Sequence, residues 1–155
     1  MAIPVQFVTT SDGVRIAYAV HGDGPPLVLV RGWITHLDLM WQEPAFRRFF
    51  EALGERFRVV RFDARGNGLS QRDVGPPDLD GFVRDTEAVV QACELDHFVL
   101  WGSCFGGPIA IAYAARHRER VDRIILEGTY PTWVDMRTPK QRTIALDLMR
   151  MLSTS

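Results

Sequence analysis

Cys104 is the residue whose surroundings in the sequence most clearly indicate chemistry. It stands at the centre of the pentapeptide Gly-Ser-Cys-Phe-Gly, residues 102–106, between an apolar segment and a segment with helical character. In a strand–turn–helix of this form, the two glycines leave room for a sharp turn that exposes a nucleophile at its apex. The helix that follows directs its positive end towards a thiolate or a developing oxyanion. The spacing therefore predicts a nucleophile elbow at Cys104.

The other residues that compete for this role fit it less well. Ser103 as the nucleophile would place Trp101 and Phe105 where the turn requires glycine. Cys93 lies late in an amphipathic segment without a motif, and we expect it to be a buried residue. Two cysteines in the chain indicate neither a disulfide framework nor a metal cluster, so we expect no metal and no cofactor.

The elements that must position this turn follow from the hydrophobic pattern. Asp12-Gly13, between two β-like stretches, predicts a hairpin. Apolar runs then alternate with helical periodicity, which predicts an α/β fold: a mostly parallel sheet of about six strands with helices on both faces. Strands are predicted at residues 6–9, 14–21, 27–30, 57–62, 98–101 and 121–126, and helices at 41–53, 79–93, 106–116 and 141–152.

The charge and composition exclude several classes of function. A formal net charge of -1 provides no basic surface for nucleic acid or for an anionic membrane. No apolar run approaches the ~20 residues that span a bilayer. The N-terminus lacks the basic start and apolar core of a signal peptide. We therefore expect a cytoplasmic protein that acts on a small molecule.

Three further blocks of sequence accompany the elbow. They are VLVRGW at residues 28–33, RFDARGNGLS at residues 61–70, and the helix and strand at residues 108–126. In this order, and with the elbow, they resemble the α/β-hydrolase superfamily over residues 5–130. The closest resemblance is to bacterial hydrolase-like domains that are fused to nucleotide cyclase or helix-turn-helix regulator domains, which share the SDGVRIAY opening.

The resemblance implies an oxyanion hole formed by the backbone N–H groups of Trp33 and Phe105. Arg31 departs from the histidine that the family commonly carries before the glycine of this turn, although the backbone donor at Trp33 is kept. Asp63 matches the family loop, and we expect it to hold the turn at residues 65–70. A cysteine at the elbow is compatible with hydrolysis in this superfamily, as in dienelactone hydrolase.

A histidine base is harder to find than the nucleophile. A thiol with an unperturbed pKa of ~8.5 is only a few per cent ionised at neutral pH, and the family places its histidine late in the chain. His117 is the only histidine after Cys104, and the predicted helix carries it away from the turn. His36, which follows the turn at Trp33, is the histidine that we expect near Cys104, as the base or as a residue lining the pocket.

The triad acid has a better candidate in Glu127. It follows the last predicted strand, and the carboxyl ends of strands face the active site in open α/β sheets. The segment ILEGTYPTW that contains it is similar to one in haloalkane dehalogenases, some of which place the triad acid there. Glu127 either supplies this acid or hydrogen-bonds the backbone of the neighbouring loop.

The sequence predicts a hydrolase core that is incomplete at its C-terminal side. Residues 1–130 correspond to the α/β-hydrolase core without its C-terminal side, and residues 131–155 to the start of a cap-like helical segment. A parallel sheet that stops at the strand 121–126 leaves an apolar edge, and the helix at 141–152 adds an apolar stripe. We therefore predict a homo-oligomer, a symmetric dimer that covers these surfaces.

The sequence leaves three interpretations of function open. The first is an esterase-type hydrolase in which Cys104 attacks a small ester or lactone, supported by Glu127 and a histidine such as His36. The second is a non-catalytic ligand-binding or sensor module that keeps the pocket but lacks the base. The third is a truncated, inactive hydrolase fragment. A cysteine that replaces the serine of an active parent is a further alternative for Cys104.

Overall fold

The computed structural model describes residues 3–32, 34–76 and 78–131 of the chain. Within them the chain forms one six-stranded sheet with helices on both faces, as predicted. The strands are β1 (Gln6–Thr9), β2 (Arg15–His21), β3 (Pro26–Val30), β4 (Arg58–Phe62), β5 (Phe98–Ser103) and β6 (Val121–Glu127). The helices are α1 (Leu37–Gln42), α2 (Pro44–Gly54), α3 (Leu79–Ala92) and α4 (Gly106–Arg116).

The strands lie in the order β1-β2-β4-β3-β5-β6. β2 is antiparallel to both β1 and β4, whereas β4, β3, β5 and β6 are parallel to their neighbours. Gly102, near the end of β5, pairs with Val30 of β3 on one side and with Leu126 of β6 on the other. The carboxyl ends of these three strands therefore meet at one end of the sheet, where the predicted elbow begins.

Two apolar layers fix the sheet between its helices. On one face, α2 contributes the fully buried Phe50, which packs with side chains of β3 and β4. On the other face, α3 and α4 contribute Val89, Ile109 and Tyr113 to a larger cluster. β3 is covered on both faces, which explains why its sequence is apolar without alternation.

One predicted helix is divided in two. The pattern at residues 41–53 predicts a single helix, whereas the chain forms α1 and α2 with a break at Glu43. Glu43 is extended, with φ -73° and ψ 121°, because the residue before a proline is disfavoured in the α region. Pro44 then begins α2, where no backbone N–H is needed. The Glu43 carboxylate caps α2 by accepting from the N–H groups of Ala45 and Phe46.

The other predicted elements that fall on described residues are confirmed within two residues at each end. β5 continues to Ser103 and β6 to Glu127, so both strands reach further towards the elbow than the apolar pattern indicates. The predicted hairpin at Asp12-Gly13 is present, with Gly13 at a φ of 85°. The helix predicted at 141–152, and the cap-like segment beyond Pro131, lie outside the described residues.

Three charged side chains, Asp85 and Arg65 buried and Asp12 exposed, fasten the loop after β4 to the first hairpin and to α3. The Arg65 guanidinium donates from Nε to the carboxylate of Asp85 at 2.9 Å and from Nη1 to that of Asp12 at 2.8 Å. Asp85 is fully buried and Arg65 nearly so. The hydrogen bonds from Arg65 hold the pKa of Asp12 well below 3.8, whereas burial raises the pKa of Asp85.

This network predicts an acid-dependent contribution to stability. Because the pKa of Asp12 is lower in the folded than in the unfolded chain, its contribution is present above the ordinary value of 3.8 and is lost as the pH falls through the folded value. We expect Asp12→Asn to lower the free energy of unfolding at neutral pH, by an amount that shrinks below about pH 4. Urea unfolding of both chains across this range measures it. Asp23→Asn, at an exposed position, is the matched control, and a pH-independent difference for Asp12→Asn would contradict the prediction.

Candidate active site

The turn after β5 has the geometry of a nucleophile elbow. Cys104 is exposed and has a φ of 52°, in the left-handed region that non-glycine residues rarely adopt. Its N–H donates to the carbonyl oxygen of Glu127 at 3.0 Å. Its carbonyl oxygen accepts from the N–H of Gly107 at 3.3 Å and from the hydroxyl of Thr129. The unusual backbone of Cys104 is thus held on both sides, which keeps the thiol at the apex of the turn.

Glycine is required where β3 meets this turn. A Cβ at Gly106 would collide with the carbonyl oxygen of Val30. A Cβ at Gly32 would lie 2.7 Å from the backbone nitrogen of Phe105 and 2.9 Å from the Cβ of Cys104. Real side chains do not make such short contacts, so only glycine allows the chain after β3 to lie directly against the start of α4.

Of the two residues that are predicted to supply the oxyanion donors, the structure describes Phe105. Phe105 is the N-cap of α4, so its backbone lies at the positive end of that helix, directly after Cys104. Trp33 lies outside the described residues. A Cβ at Gly32, the residue before Trp33, would lie 2.7 Å from the backbone nitrogen of Phe105, so the chain before Trp33 passes close to the start of α4.

Glu127 lies beside the elbow, at the end of β6. It is in register with Ser103 of β5, and the two line an open cavity together with Arg31. Burial lowers the pKa of Arg31, and the nearby Glu127 carboxylate raises it. The remaining lining residues are Leu29, Phe49 and Trp101, so Cys104 itself is not part of this lining. The contact between Glu127 and Cys104 is made through the Glu127 carbonyl oxygen rather than through its carboxylate.

His36 caps a helix and does not contact Cys104. Its Nδ1 accepts from the N–H of Leu39 at 3.4 Å, at the beginning of α1. It is also not among the residues that line the cavity beside the elbow. Among the described residues, no histidine nitrogen is hydrogen-bonded to the thiol of Cys104. The predicted base and the predicted nucleophile are therefore not brought together, because the ring of His36 is engaged by α1.

The other histidines also have partners elsewhere. His21 Nε2 is 2.9 Å from a backbone carbonyl oxygen of α2. His97 Nδ1 lies 3.1 Å from the carboxylate of Asp122, at the opposite end of β5 from the elbow. His117 stacks on Tyr113 near the end of α4, with 4.4 Å between the ring centroids. As expected from its position on the helix, His117 is carried away from the turn.

Asp63 has the structural role that we expect from its place in the loop. It is fully buried, and its Oδ2 accepts from the N–H of Leu37 at 3.1 Å and from the N–H of Leu69 at 2.9 Å. The hydroxyl of Ser70 donates to its carbonyl oxygen. Asp63 therefore joins the loop after β4 to the beginning of α1, which directly follows His36 in the sequence.

Thr129 is the site residue that the sequence did not reveal. Its hydroxyl donates to the carbonyl oxygen of Cys104, and its side chain occupies the space that a Cβ at Gly107 would need. One signal was available, since a second glycine directly after the elbow motif leaves room for a side chain from a neighbouring element. Which element fills that room depends on the sheet order.

The cysteines, the metal-binding side chains and the helices bear on other kinds of site. Both cysteines are free, Cys93 buried and Cys104 exposed. Within residues 3–32, 34–76 and 78–131, no three His, Cys, Asp or Glu side chains lie close enough together to hold a metal ion. In the same ranges, no helix has the length and apolar character needed to cross a membrane.

Comparison with known proteins gives consistent results. A family model described as the alpha/beta hydrolase fold matches residues 25–153. The chain is 32% identical over 123 residues to the AB hydrolase superfamily protein YisY of Bacillus subtilis, covering 77% of this chain and 43% of that protein. It is 35% identical over 117 residues to Haloalkane dehalogenase 2 of Mycobacterium tuberculosis, covering 75% and 39%. The solved structure of the esterase RhEst1 from Rhodococcus sp. ECU1013 matches with a TM-score of 0.71 at 28% identity, covering 82% of this chain and 46% of that one.

The mostly parallel sheet, with a left-handed turn at Cys104 between β5 and α4, defines an α/β protein. The chain belongs to the alpha/beta hydrolase fold family. It spans less than half the length of the two curated relatives described above.

Proposed function

We propose that this chain is an esterase-type hydrolase that cleaves a small ester or lactone through a thioester on Cys104. The observation that carries the proposal is the elbow: an exposed cysteine with a φ of 52° directly before α4. Free cysteines are commonly small buried residues, and this one is held instead at the apex of a strained turn. Membership of the alpha/beta hydrolase fold family supports the same class of chemistry.

The proposed reaction has two halves. The Cys104 thiolate attacks the carbonyl carbon, and the N–H groups of Phe105 and Trp33 stabilise the tetrahedral oxyanion. The bond between the carbonyl carbon and the alcohol oxygen then breaks, the alkoxide takes up a proton, and the acyl group stays on sulfur. Water attacks the thioester, which releases the carboxylic acid and restores the thiol.

The chemistry of sulfur favours acyl substrates over the haloalkanes that the name of one relative indicates. Attack of a thiolate on a saturated carbon forms a thioether, which water does not cleave, so turnover would stop after one cycle. Attack on a carbonyl carbon forms a thioester, which water does cleave. A cysteine at the elbow therefore supports esters and lactones as the substrate class.

Glu127 and His36 are proposed in supporting roles. Glu127 ends β6 beside the elbow and is the candidate for the acid. His36 is the candidate for the base, and it can serve only when its ring leaves the N–H of Leu39. The 3.4 Å length of that hydrogen bond makes it a weak one, so its loss costs little.

A non-catalytic binding or sensor module is the second candidate function. One observation favours it: none of the described histidines hydrogen-bonds the thiol of Cys104. Such a module would keep the elbow and the cavity beside Glu127, but the thiol would not turn over a substrate.

Pre-steady-state acylation separates the two candidates. With p-nitrophenyl acetate in excess, we expect a burst of one equivalent of nitrophenol per chain, followed by slower turnover, because acylation precedes hydrolysis of the thioester. Mass spectrometry of the quenched chain is expected to find the acetyl group on the peptide that contains Cys104. His36→Ala is expected to slow turnover, with His97→Ala as the matched control at the other end of β5. Release that stops at one equivalent, or that never exceeds the buffer rate, contradicts hydrolysis.

We also propose the cytoplasm as the place of action. Cys104 is free and exposed, and the glutathione and thioredoxin systems of the cytosol keep such thiols reduced. Cell fractionation with immunodetection tests this assignment, and recovery of the chain from an oxidising compartment would overturn it.

A further inference from the structure

The peptide unit between Cys104 and Phe105 joins the proposed nucleophile to a proposed oxyanion donor. Its carbonyl group belongs to Cys104 and its N–H group to Phe105. The peptide bond is trans, and a trans peptide is planar, with its C=O and N–H groups pointing in opposite directions. A contact that fixes the direction of the Cys104 carbonyl group therefore also fixes the direction of the Phe105 N–H group.

Two donors hold the carbonyl oxygen of Cys104. The N–H of Gly107 donates to it at 3.3 Å, which is longer than the usual range of about 2.7–3.2 Å for such a hydrogen bond. The hydroxyl of Thr129 donates to the same oxygen. The bond from the helix backbone is therefore a weak one, and the Thr129 hydroxyl is the second anchor of this peptide.

The chain after β6 is shaped to bring Thr129 to this position. Gly128 has a φ of 53°, in the left-handed region, and a Cβ there would have no neighbour within 4 Å. Glycine is thus needed for its backbone angle rather than for space. Thr129 is half-buried, and its Cγ2 and Cβ lie 2.5 and 2.6 Å from the point that a Cβ of Gly107 would occupy. Packing against α4 therefore fixes the Thr129 side chain together with its hydrogen bond.

This contact has two consequences for an oxyanion that forms beside Phe105. A donor whose direction is fixed in advance needs no reorganisation when the charge develops. A hydrogen bond to the carbonyl oxygen also polarises the peptide, which makes the N–H group of the same unit a stronger donor. Because the charge develops only during attack on the substrate, both effects lower the energy of the transition state rather than that of the bound substrate.

We infer that Thr129 is a positioning residue, which sets the direction of the oxyanion donor at Phe105 through the carbonyl oxygen of Cys104. Its effect on the rate rests on the proposed hydrolysis. Its effect on the peptide between Cys104 and Phe105 can be measured without a substrate.

Substitution of Thr129 tests the effect on the rate. Thr129→Val removes the hydroxyl, keeps the shape of the side chain and places a methyl group where a water would otherwise replace the hydroxyl. We expect kcat/KM for p-nitrophenyl acetate to fall about tenfold, less than the roughly 10²–10³ that loss of a whole oxyanion donor costs. Formation and hydrolysis of the thioester both pass through an oxyanion, so we expect the loss in kcat, with KM kept within about twofold.

Two further variants make this kinetic test specific. Thr129→Ser keeps the hydroxyl and is expected to recover most of the parent rate. Thr86→Val is the matched control, because the Thr86 hydroxyl also donates to a backbone carbonyl oxygen, that of Phe82 at 3.1 Å, within α3. We expect it to turn over esters at the parent rate. A loss that appears in KM alone, or a Thr129→Ser chain as slow as Thr129→Val, would overturn the inference.

Isotope labelling tests the contact without a substrate. The sequence contains one Cys-Phe pair, Cys104 and Phe105, since Cys93 is followed by a glutamate. A chain labelled with ¹³C at the cysteine carbonyl carbons and with ¹⁵N in phenylalanine therefore gives one signal that joins the two labels across this peptide. We expect Thr129→Val to move its carbonyl carbon and its amide proton upfield, because a carbonyl group that loses a hydrogen bond is less polarised.

The labelled signal separates this inference from the proposed function. Thr129→Ser and Thr86→Val are both expected to leave the signal close to its position in the parent chain. A parent chain that hydrolyses no ester would refute the proposed function, and the signal would then decide alone whether Thr129 holds the peptide. A signal that Thr129→Val leaves in place would overturn the inference whatever the rates.

Discussion

Cys104→Ala is expected to reduce kcat/KM for short-chain p-nitrophenyl esters at least about a hundredfold, to the rate seen in buffer alone. The elbow presents one side chain at its apex, and that side chain is the thiol. Alanine has the same difficulty as cysteine in adopting a φ of 52°, so the turn and its hydrogen bonds to Glu127 and Gly107 are kept. Steady-state kinetics with the purified chains measure the effect, and turnover that persists in Cys104→Ala would show that hydrolysis occurs elsewhere.

Cys104→Ser makes the same experiment more informative. A serine hydroxyl requires a base at neutral pH, whereas a thiol is already partly ionised. Since no described histidine is hydrogen-bonded at position 104, we expect the serine variant to keep less than about a tenth of the parent rate. Cys93→Ala, at the buried C-cap of α3, is the control and should retain the parent rate. A serine variant as active as the parent would show that a base reaches the elbow.

Asp85→Ala is expected to lower the free energy of unfolding by about 1–3 kcal/mol, since buried N–H groups of Arg65 are left without their acceptor. The Asp85 carboxylate accepts from the backbone N–H of Arg65 at 2.9 Å as well as from its guanidinium. After the substitution, Arg65 keeps only its contacts with Asp12, in the hairpin turn. Urea unfolding monitored by circular dichroism measures the loss.

The matched control lies on the same helix. Asp80→Ala removes an exposed carboxylate of α3 that pairs with the exposed Arg116, and exposed ion pairs contribute little. We expect its unfolding curve to stay close to that of the parent chain. If Asp85→Ala behaved like Asp80→Ala, the pair of Arg65 and Asp85 would not hold the loop after β4 against α3.

The fold could be predicted from the sequence because its signals are local. β3 is apolar on both faces, and the glycines around Cys104 mark a close approach of strand and helix that no other residue permits. The division of the helix predicted at residues 41–53 also has a local cause, which is Pro44. The prediction followed the apolar periodicity and gave this proline too little weight. The extension of β6 to Glu127 could not be recognised, because a charged residue at the end of a strand does not interrupt the backbone ladder.

The site was predictable only in part, because several of its contacts depend on the backbone. The sequence marks Glu127 by its carboxylate, yet the hydrogen bond to Cys104 uses its carbonyl oxygen, which any residue supplies. His36 follows the turn at Trp33 as expected, but α1 begins at Leu37, earlier than the periodicity predicts, and takes the His36 ring as its cap. Capping and base catalysis compete for the same ring nitrogen, and the position of the helix start decides between them.

The backbone of Cys104 is held from outside the elbow by two residues at the end of β6 and just after it. Its N–H donates to the carbonyl oxygen of Glu127, and its carbonyl oxygen accepts from the hydroxyl of Thr129. A shift of β6 relative to β5 is therefore expected to turn the Cys104 peptide, and with it the direction of the thiol, without a change in any residue of the elbow. The packing of β6 would then affect reactivity as well as stability.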